Sequence, residues 1–266
     1  MTAITSSTPT TPDARAVKSA DRTLHILETL GDAARPLTVV ELHRLTGYPR
    51  SSLHQLLHTL AASRWIDMSE DGARVAIGAQ ALVVGTSYLD RDQAIPYASP
   101  VLESIRDEIG YTTHYARLEG DSVLYLATRE PSNSHRRTSR IGRKLPAYCT
   151  ALGKALLSQL TAEERAGVIG EGELPALTPS TVTLPETLDE QLSEVRRRGF
   201  STEYEESTPG VVCVAAPVQY RIPATDAISC SMPAPVASDG EVARVGAIIS
   251  AHASRLAAEL QAHGVR

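Results

Sequence analysis

The stretch Thr38 to Leu60, TVVELHRLTGYPRSSLHQLLHTL, constrains this chain more than any other, because one short segment carries two opposed stripes at helical spacing. Leu53, Leu56, Leu57 and Leu60 recur at i, i+3, i+4 and i+7, an apolar face that must meet a core. Ser51, His54, Gln55 and His58 repeat that spacing on the far side of the same helix, all polar, with Arg50 and Ser52 at its start. A first helix precedes it, announced by the capping box of Thr38 and Glu41 and by the apolar positions of Val39 to Leu45. Gly47 can adopt the left-handed conformation that stops this helix, and Pro49 suits the first turn of the next. The pattern predicts a helix-turn-helix whose second helix enters a major groove, where Ser, Gln, His and Arg reach base edges and phosphates.

The flanks fit this reading. Trp65 to Met68 and Ala73 to Ile77 read as strands around the turn Ser69-Glu70-Asp71-Gly72, a wing that carries Arg74. Upstream, Ala20, Leu24, Leu27 and Leu30 share a helical face that Gly31 is expected to close. His54 and His58 stand at i, i+4, but no third ligand accompanies them, so no metal is expected. Charge adds a constraint: up to Arg74 there are eight bases and eight acids, and the net charge of −5 arises in the remainder. A neutral reader with a few placed cations binds modestly alone, which points to two copies on a two-fold related double-stranded site.

A chain of 266 residues with 42% hydrophobic content can build two cores, and no apolar run approaches a membrane span, so no membrane partner is expected. Cys149, Cys213 and Cys230 form no Cys-x-x-Cys pair, which suits a reducing cytoplasm, and no cofactor motif is present. The expected organisation is a disordered Thr/Ser/Pro tail over 1–16, a winged helix-turn-helix over 17–78, a linker helix over 79–93 and a second domain over 94–266. That domain begins with an amphipathic helix from Ile95, its face formed by Ala98, Val101, Leu102, Ile105 and Ile109 and its stop by Gly110. A hairpin follows, Thr112 to Leu118 with Ser122 to Thr128, then a basic loop (His135, Arg136, Arg137, Arg140, Arg143, Lys144) and a helix opening within Pro146 to Leu157. Three further capping boxes are expected, Thr161 with Glu164, Thr187 with Glu190 and Ser238 with Glu241. Strand-like segments run over Phe200 to Glu205, Val211 to Val218 and Ala224 to Met232, so the fold class is α+β with a mainly antiparallel sheet flanked by helices.

Several motifs in order resemble the IclR family of bacterial transcriptional regulators: the Thr38 to Leu60 segment, then RKLPAYCTALGKALLS, GFSTEYEESTPGVVCVAAPV and AISCSMP. The resemblance covers nearly everything from Ala20 to Leu260. It implies a cytoplasmic repressor, or else an activator, that dimerises through its DNA-binding part and often forms tetramers. It also implies a GAF/profilin-like effector domain that takes a small organic or aromatic acid. The helix-turn-helix and wing make Thr38, Arg50, Ser51, Ser52, His54, Gln55, His58 and Arg74 the candidate DNA contacts, and the resemblance, carried over position by position, assigns Ala151, Leu152, Glu203, Cys213, Ser229 and Ser231 to the effector pocket. The chain departs from the family where many relatives carry Arg in the recognition helix and here Gln55 stands, and where Val75-Ala76 replaces a Tyr-Arg pair in the wing. The wing is therefore expected to grip phosphate weakly.

The residues themselves support an anionic ligand. Ser229 and Ser231 point from one face of their strand, and a helix start near Cys149 to Gly153 offers unpaired N–H groups and a positive dipole end to a carboxylate. His114, Tyr115, Tyr148 and Cys149 are candidates for additional polar contacts, with His114 alternatively an exposed or packed residue of an edge strand. Blander readings stay open: Cys213 as a core thiol, Glu203 as part of a solvated charge run with Glu205 and Glu206, and the basic loop as plain surface. Two other functions also stay open, a cysteine hydrolase using Cys149 or Cys213 with His114, and an architectural DNA-binding protein without an effector.

Overall fold

The structure, a computed structural model, describes residues 17–33, 35–131 and 141–266. The expected tail and His135, Arg136, Arg137 and Arg140 of the basic loop lie outside the described residues. The chain divides into two compact units, Met1–Arg91 and Asp92–Arg266.

The first unit runs α1 (Lys18–Ala33), β1 (Leu37–Thr38), α2 (Val39–Thr46), α3 (Arg50–Ala62), β2 (Ile66–Met68), β3 (Arg74–Ile77) and α4 (Ala79–Asp90). The expected hairpin forms, with Ile66 opposite Ile77, and gains a third strand because β1 pairs with β3, Leu37 opposite Val75. The Thr38–Glu41 capping box is complete and Gly47 ends α2 at φ 68°, whereas Pro49 caps α3 instead of entering its first turn. Ile26, Leu30, Leu37, Leu42, Leu53, Leu57, Leu60, Ile66 and Val75 form one core, with Leu56 packed against it. Each fully buried Leu or Ile contributes about 1.5–3 kcal/mol, which is what holds elements this short in place. Two expectations for α1 need correction. Gly31 lies inside the helix, which continues to Ala33, and the face that packs is Ile26, Leu27 and Leu30, leaving Ala20 and Leu24 exposed.

The second unit comprises α5 (Ile95–Ile109), β4 (Thr112–Glu119), β5 (Ser122–Arg129), β6 (Lys144–Pro146), α6 (Ala151–Leu157), α7 (Ala162–Ile169), α8 (Pro185–Arg198), β7 (Ser201–Tyr204), β8 (Val211–Val218), β9 (Asp226–Pro233) and α9 (Asp239–Ala262). Its six strands pair antiparallel in the order β6-β5-β4-β9-β8-β7, so β4 with His114 is an interior strand, not an edge. Helices α5 and α9 pack together on the sheet, and Thr113 marks their side of β4 by donating to the Leu102 carbonyl at 2.9 Å. On the other face lies α6, in one core with Ala116, Ala215 and Ala227 of the sheet and Leu188 and Leu192 of α8. The expected helix opening at Pro146 is in fact a 3-10 turn over Ala147–Cys149 followed by α6, capped by Thr150. Thr187 caps nothing, because Pro185 already starts α8 after Leu184. Ser238 does cap α9, but the Glu241 carboxylate turns to Arg244 and Tyr111 and leaves the box half made.

At one end of the sheet Asp226, fully buried, accepts Arg117 Nε at 2.6 Å and Nη2 at 2.9 Å, together with the Tyr115 and Tyr220 hydroxyls. Arg117 also pairs with Asp92, whose other oxygen accepts the N–H groups of Ala94 and Ile95 at 2.9 and 3.1 Å and so starts α5.

Candidate functional site

On α3 the leucine stripe faces inward, and Arg50, Ser51, His54, Gln55 and His58 are exposed. The angle of α3 is fixed at the turn by Tyr48, whose hydroxyl meets His25 Nδ1 of α1 at 2.7 Å and whose carbonyl meets His43 Nδ1 of α2 at 2.7 Å. Two expected DNA contacts are already engaged within the protein. The Thr38 hydroxyl accepts the Glu41 N–H at 3.1 Å, and the Ser52 hydroxyl donates to the Pro49 carbonyl at 3.0 Å and receives Arg22 at 3.5 Å. Arg74 is exposed on β3 directly beside Thr38, so those two share an edge of the unit, and Val75 is wholly buried.

In the second unit the strand register gathers residues that lie far apart in the chain. Glu203 pairs with Cys213, Cys213 with Ser231, and Ser229 with both Ala215 and His114. A cavity of about 10 Å³, room for a single water, opens above this row and is lined by Ala151, Leu152, Glu203, Cys213 and Ser229. Tyr125, Thr150, Ser207, Thr208 and Val211 complete the lining. Ser231 stands just behind, its hydroxyl 3.2 Å from both Cys213 Sγ and His114 Nε2. His114 meets Thr128 through Nδ1 at 3.0 Å and lies edge-on to the Tyr125 ring at 5.3 Å.

A bulge after Tyr115 shifts the β4–β5 register so that Tyr125 and Thr128, three residues apart, both turn to the His114 face. Strict alternation would put those two residues on opposite faces, so the sequence pattern alone does not bring Tyr125 to this row. Cys149 and Tyr148 are not brought to the cavity. The tight 3-10 turn sends the Tyr148 hydroxyl to the Pro175 carbonyl at 2.6 Å and the Cys149 thiol to the Pro146 carbonyl at 3.6 Å. That turn fits against α6 only because residue 153 is glycine, where a Cβ would lie 2.0 Å from the Ala147 carbonyl oxygen. Thr150 takes up the Gly153 N–H at 3.0 Å, while the N–H groups of Ala151 and Leu152 belong to a first turn that has no acceptor for them.

Glu203 is not part of a solvated run: it and Glu206 are buried, and the chain at Glu205 takes φ 58° to turn both inward. Glu203 Oε2 accepts the Glu206 N–H at 2.8 Å, Ser207 lies 3.3 Å from Oε1, and Glu206 pairs with Lys154, a lysine with no exposed surface. Burial raises the Glu203 carboxyl above its ordinary range and lowers the Lys154 ammonium. It also lifts Cys149 to about 12 and Cys213 well above a normal thiol, with Glu203 the next cause for both. Thiols held protonated in this way are poor nucleophiles. Lys154 had one sequence signal, a single charge inside the apolar run ALGKALL.

Comparison with known proteins agrees with this architecture. Residues 19–67 match the IclR helix-turn-helix domain and residues 86–258 the bacterial transcriptional regulator IclR C-terminal model. The transcriptional repressor IclR of Escherichia coli (strain K12) is 31% identical over 244 residues, 90% of this chain and 89% of that one. An IclR transcriptional regulator from Alicyclobacillus acidocaldarius has a similar fold, with TM-score 0.77 at 24% identity over 91% of this chain and 98% of that one. So does an IclR homologue from Microbacterium hydrocarbonoxydans complexed with 4-hydroxybenzoate, with TM-score 0.74 at 23% identity over 92% of this chain and 99% of that one.

Proposed function

The chain belongs to the IclR family of bacterial transcriptional regulators, and from that premise we propose that residues 17–78 read a two-fold related operator, 79–93 link, and 94–266 bind a small carboxylate that relieves repression. The observation that carries the DNA reading is the division of α3 into a buried leucine side and the exposed set Ser51, His54, Gln55 and His58. Arg50 supplies a cation beside it for phosphate, and Gln55 can pair bidentately with adenine. Purified protein should select from a genomic library fragments that share a pseudo-palindrome; fragments without a common two-fold element would count against this reading.

A homodimer is supported by α4, which buries no residue and leaves Leu82, Val83, Val84 and Tyr88 exposed in a single chain. Pairing of such dimers gives the tetramer, and sedimentation at graded concentration separates the two states. Three unpaired cysteines suit a reducing cytoplasm, and no helix among the described residues is long and apolar enough to cross a membrane.

For the effector, the Ser229 hydroxyl and the Ala151 and Leu152 N–H groups offer donors to a carboxylate, the class to which the 4-hydroxybenzoate of the Microbacterium homologue belongs. A cavity with room for one water has to widen for such a ligand, and that widening is how binding favours one state of the protein over another. Isothermal titration with a panel of small carboxylates against wild type, Ser229→Ala and Ser231→Ala tests this; equal binding by all three removes the serines from the site. The hydrolase reading is disfavoured by thiols driven toward the neutral form, and an architectural protein without an effector predicts no ligand-induced rise in Tm.

A further inference from the structure

Among the described residues, two buried carboxyls, Glu203 and Glu206, face a single buried cation, Lys154. Lys154 contacts Glu206, so those two charges offset one another, and an ionised Glu203 beside them would be an uncompensated buried charge. Burial and the Glu206 charge outweigh what favours an ionised Glu203, namely a hydrogen bond from Cys213, the Glu206 N–H and the charge of Lys154. Cys149 from the 3-10 turn and Cys213 from β8 stay protonated, and His114 on β4 is directed to Thr128 and Ser231. The Glu206 N–H donates to Oε2, which makes that oxygen the carbonyl end and leaves Oε1 to carry the proton of the neutral acid; the Ser207 hydroxyl, which donates to Oε1 at 3.3 Å, then turns its hydrogen aside.

We propose that Glu203 lines the cavity as a neutral carboxylic acid and that its proton, donated to the ligand, selects a carboxylate effector and refuses an amine. The proposal rests on the effector reading above and adds its specificity element. Lys154 acts as a positioning residue: it holds Glu206, whose backbone in turn orients Glu203. Bond-making is simple here, since the proton stays on Glu203 and is shared with the incoming anion. Once the empty cavity's Glu203 ionises, binding has to take one proton from solvent, and affinity falls by up to about tenfold per pH unit.

Three measurements on the full chain test this. The first is the melting of Glu203→Gln against wild type. An acid kept neutral by folding loses stability as pH rises above the unfolded carboxyl range, so the Tm advantage of the Gln variant should grow from pH 5 to pH 8. An advantage that is flat or shrinks overturns the neutral acid. The second needs no variant. Infrared spectra of wild type labelled with carboxyl-¹³C glutamate should retain a protonated-carboxyl band at pH 7, and its absence overturns the proposal. The third is titration with 4-hydroxybenzoate and benzylamine. The first should bind with the stated pH dependence in wild type and without it in Glu203→Gln, and benzylamine should bind neither; equal binding of benzylamine overturns the specificity. If no carboxylate binds at all, the effector class falls and the specificity with it, while the first two measurements still judge the proton by themselves.

Discussion

Helix α3 has 13 residues, three of them fully buried leucines beneath a polar outer face, whereas all seven residues of α6 are buried. The first serves a partner much larger than itself. A duplex is met by an exposed row of side chains, and a core below is all that the helix needs to stand firm. The second helps enclose a cavity, and a small molecule is recognised only by groups that converge from several directions. A surface reader is therefore written in one contiguous stretch, and a cavity is assembled from β5, α6, β7, β8, β9 and the turns that hold Thr150, Ser207 and Thr208. Their buried charges differ in the same way. The reader's main ion pair, Arg35 with Glu41, is exposed, but Arg117–Asp226 and Lys154–Glu206 lie inside the effector unit.

The largest expected effect comes from that last difference. Arg117→Met strands Asp226 among Tyr115 and Tyr220 and should cost about 3–5 kcal/mol, confined to the effector unit. Calorimetry should resolve this as the loss of one transition's stability with the other intact, and equal loss in both would break the division. Leu57→Ala is the reciprocal test: about 2–5 kcal/mol from the reader alone, read by hydrogen exchange of each unit.

Next in size is recognition. Gln55→Ala should cost roughly 1–3 kcal/mol at one base position in a base-by-base binding array, while Arg50→Ala weakens all sequences alike and lowers the salt slope. Ser229→Ala should lose about 0.5–1.5 kcal/mol of affinity for a carboxylate probe and leave the pattern of DNA preference unchanged, as titration and the same array would show.

The smallest effect concerns pH. The Arg35 hydrogen bond, with the Thr38 N–H and hydroxyl, holds the Glu41 carboxyl at about 2. A depressed carboxylate lends stability that is present above its unfolded range and disappears as pH falls. The reader should weaken from about pH 5 toward pH 2, and Glu41→Gln should flatten that slope in an acid titration of the unit's melting.

Much of the reader was legible because its signals are local. Capping at Thr38, the stop at Gly47 and the stripes of α3 involve residues within a few positions of each other, and helix geometry converts such spacing directly into faces. Where a signal was local but weak it misled: Gly31 has the composition of a stop, yet Ile26 and Leu30 pack on the core and carry α1 past it to Ala33. Thr187 resembled a cap, but Pro185 had already begun the helix. In the effector unit, alternation placed Ser229 and Ser231 on one face, and their partners came only from register.

Periodicity along the chain thus determined the winged helix-turn-helix, the exposed polar row of α3 and the antiparallel α+β character of the second half. Tertiary structure alone decided that Lys154 meets Glu206 across 52 positions, that a bulge turns Tyr125 and Thr128 to one face, and that Tyr148 and Cys149 point away from the cavity. The physical reason is range. Backbone geometry fixes which side of its own element a residue occupies, but which other side chains it meets, and whether a charge there finds a counter-charge, depends on strand register and burial between distant segments.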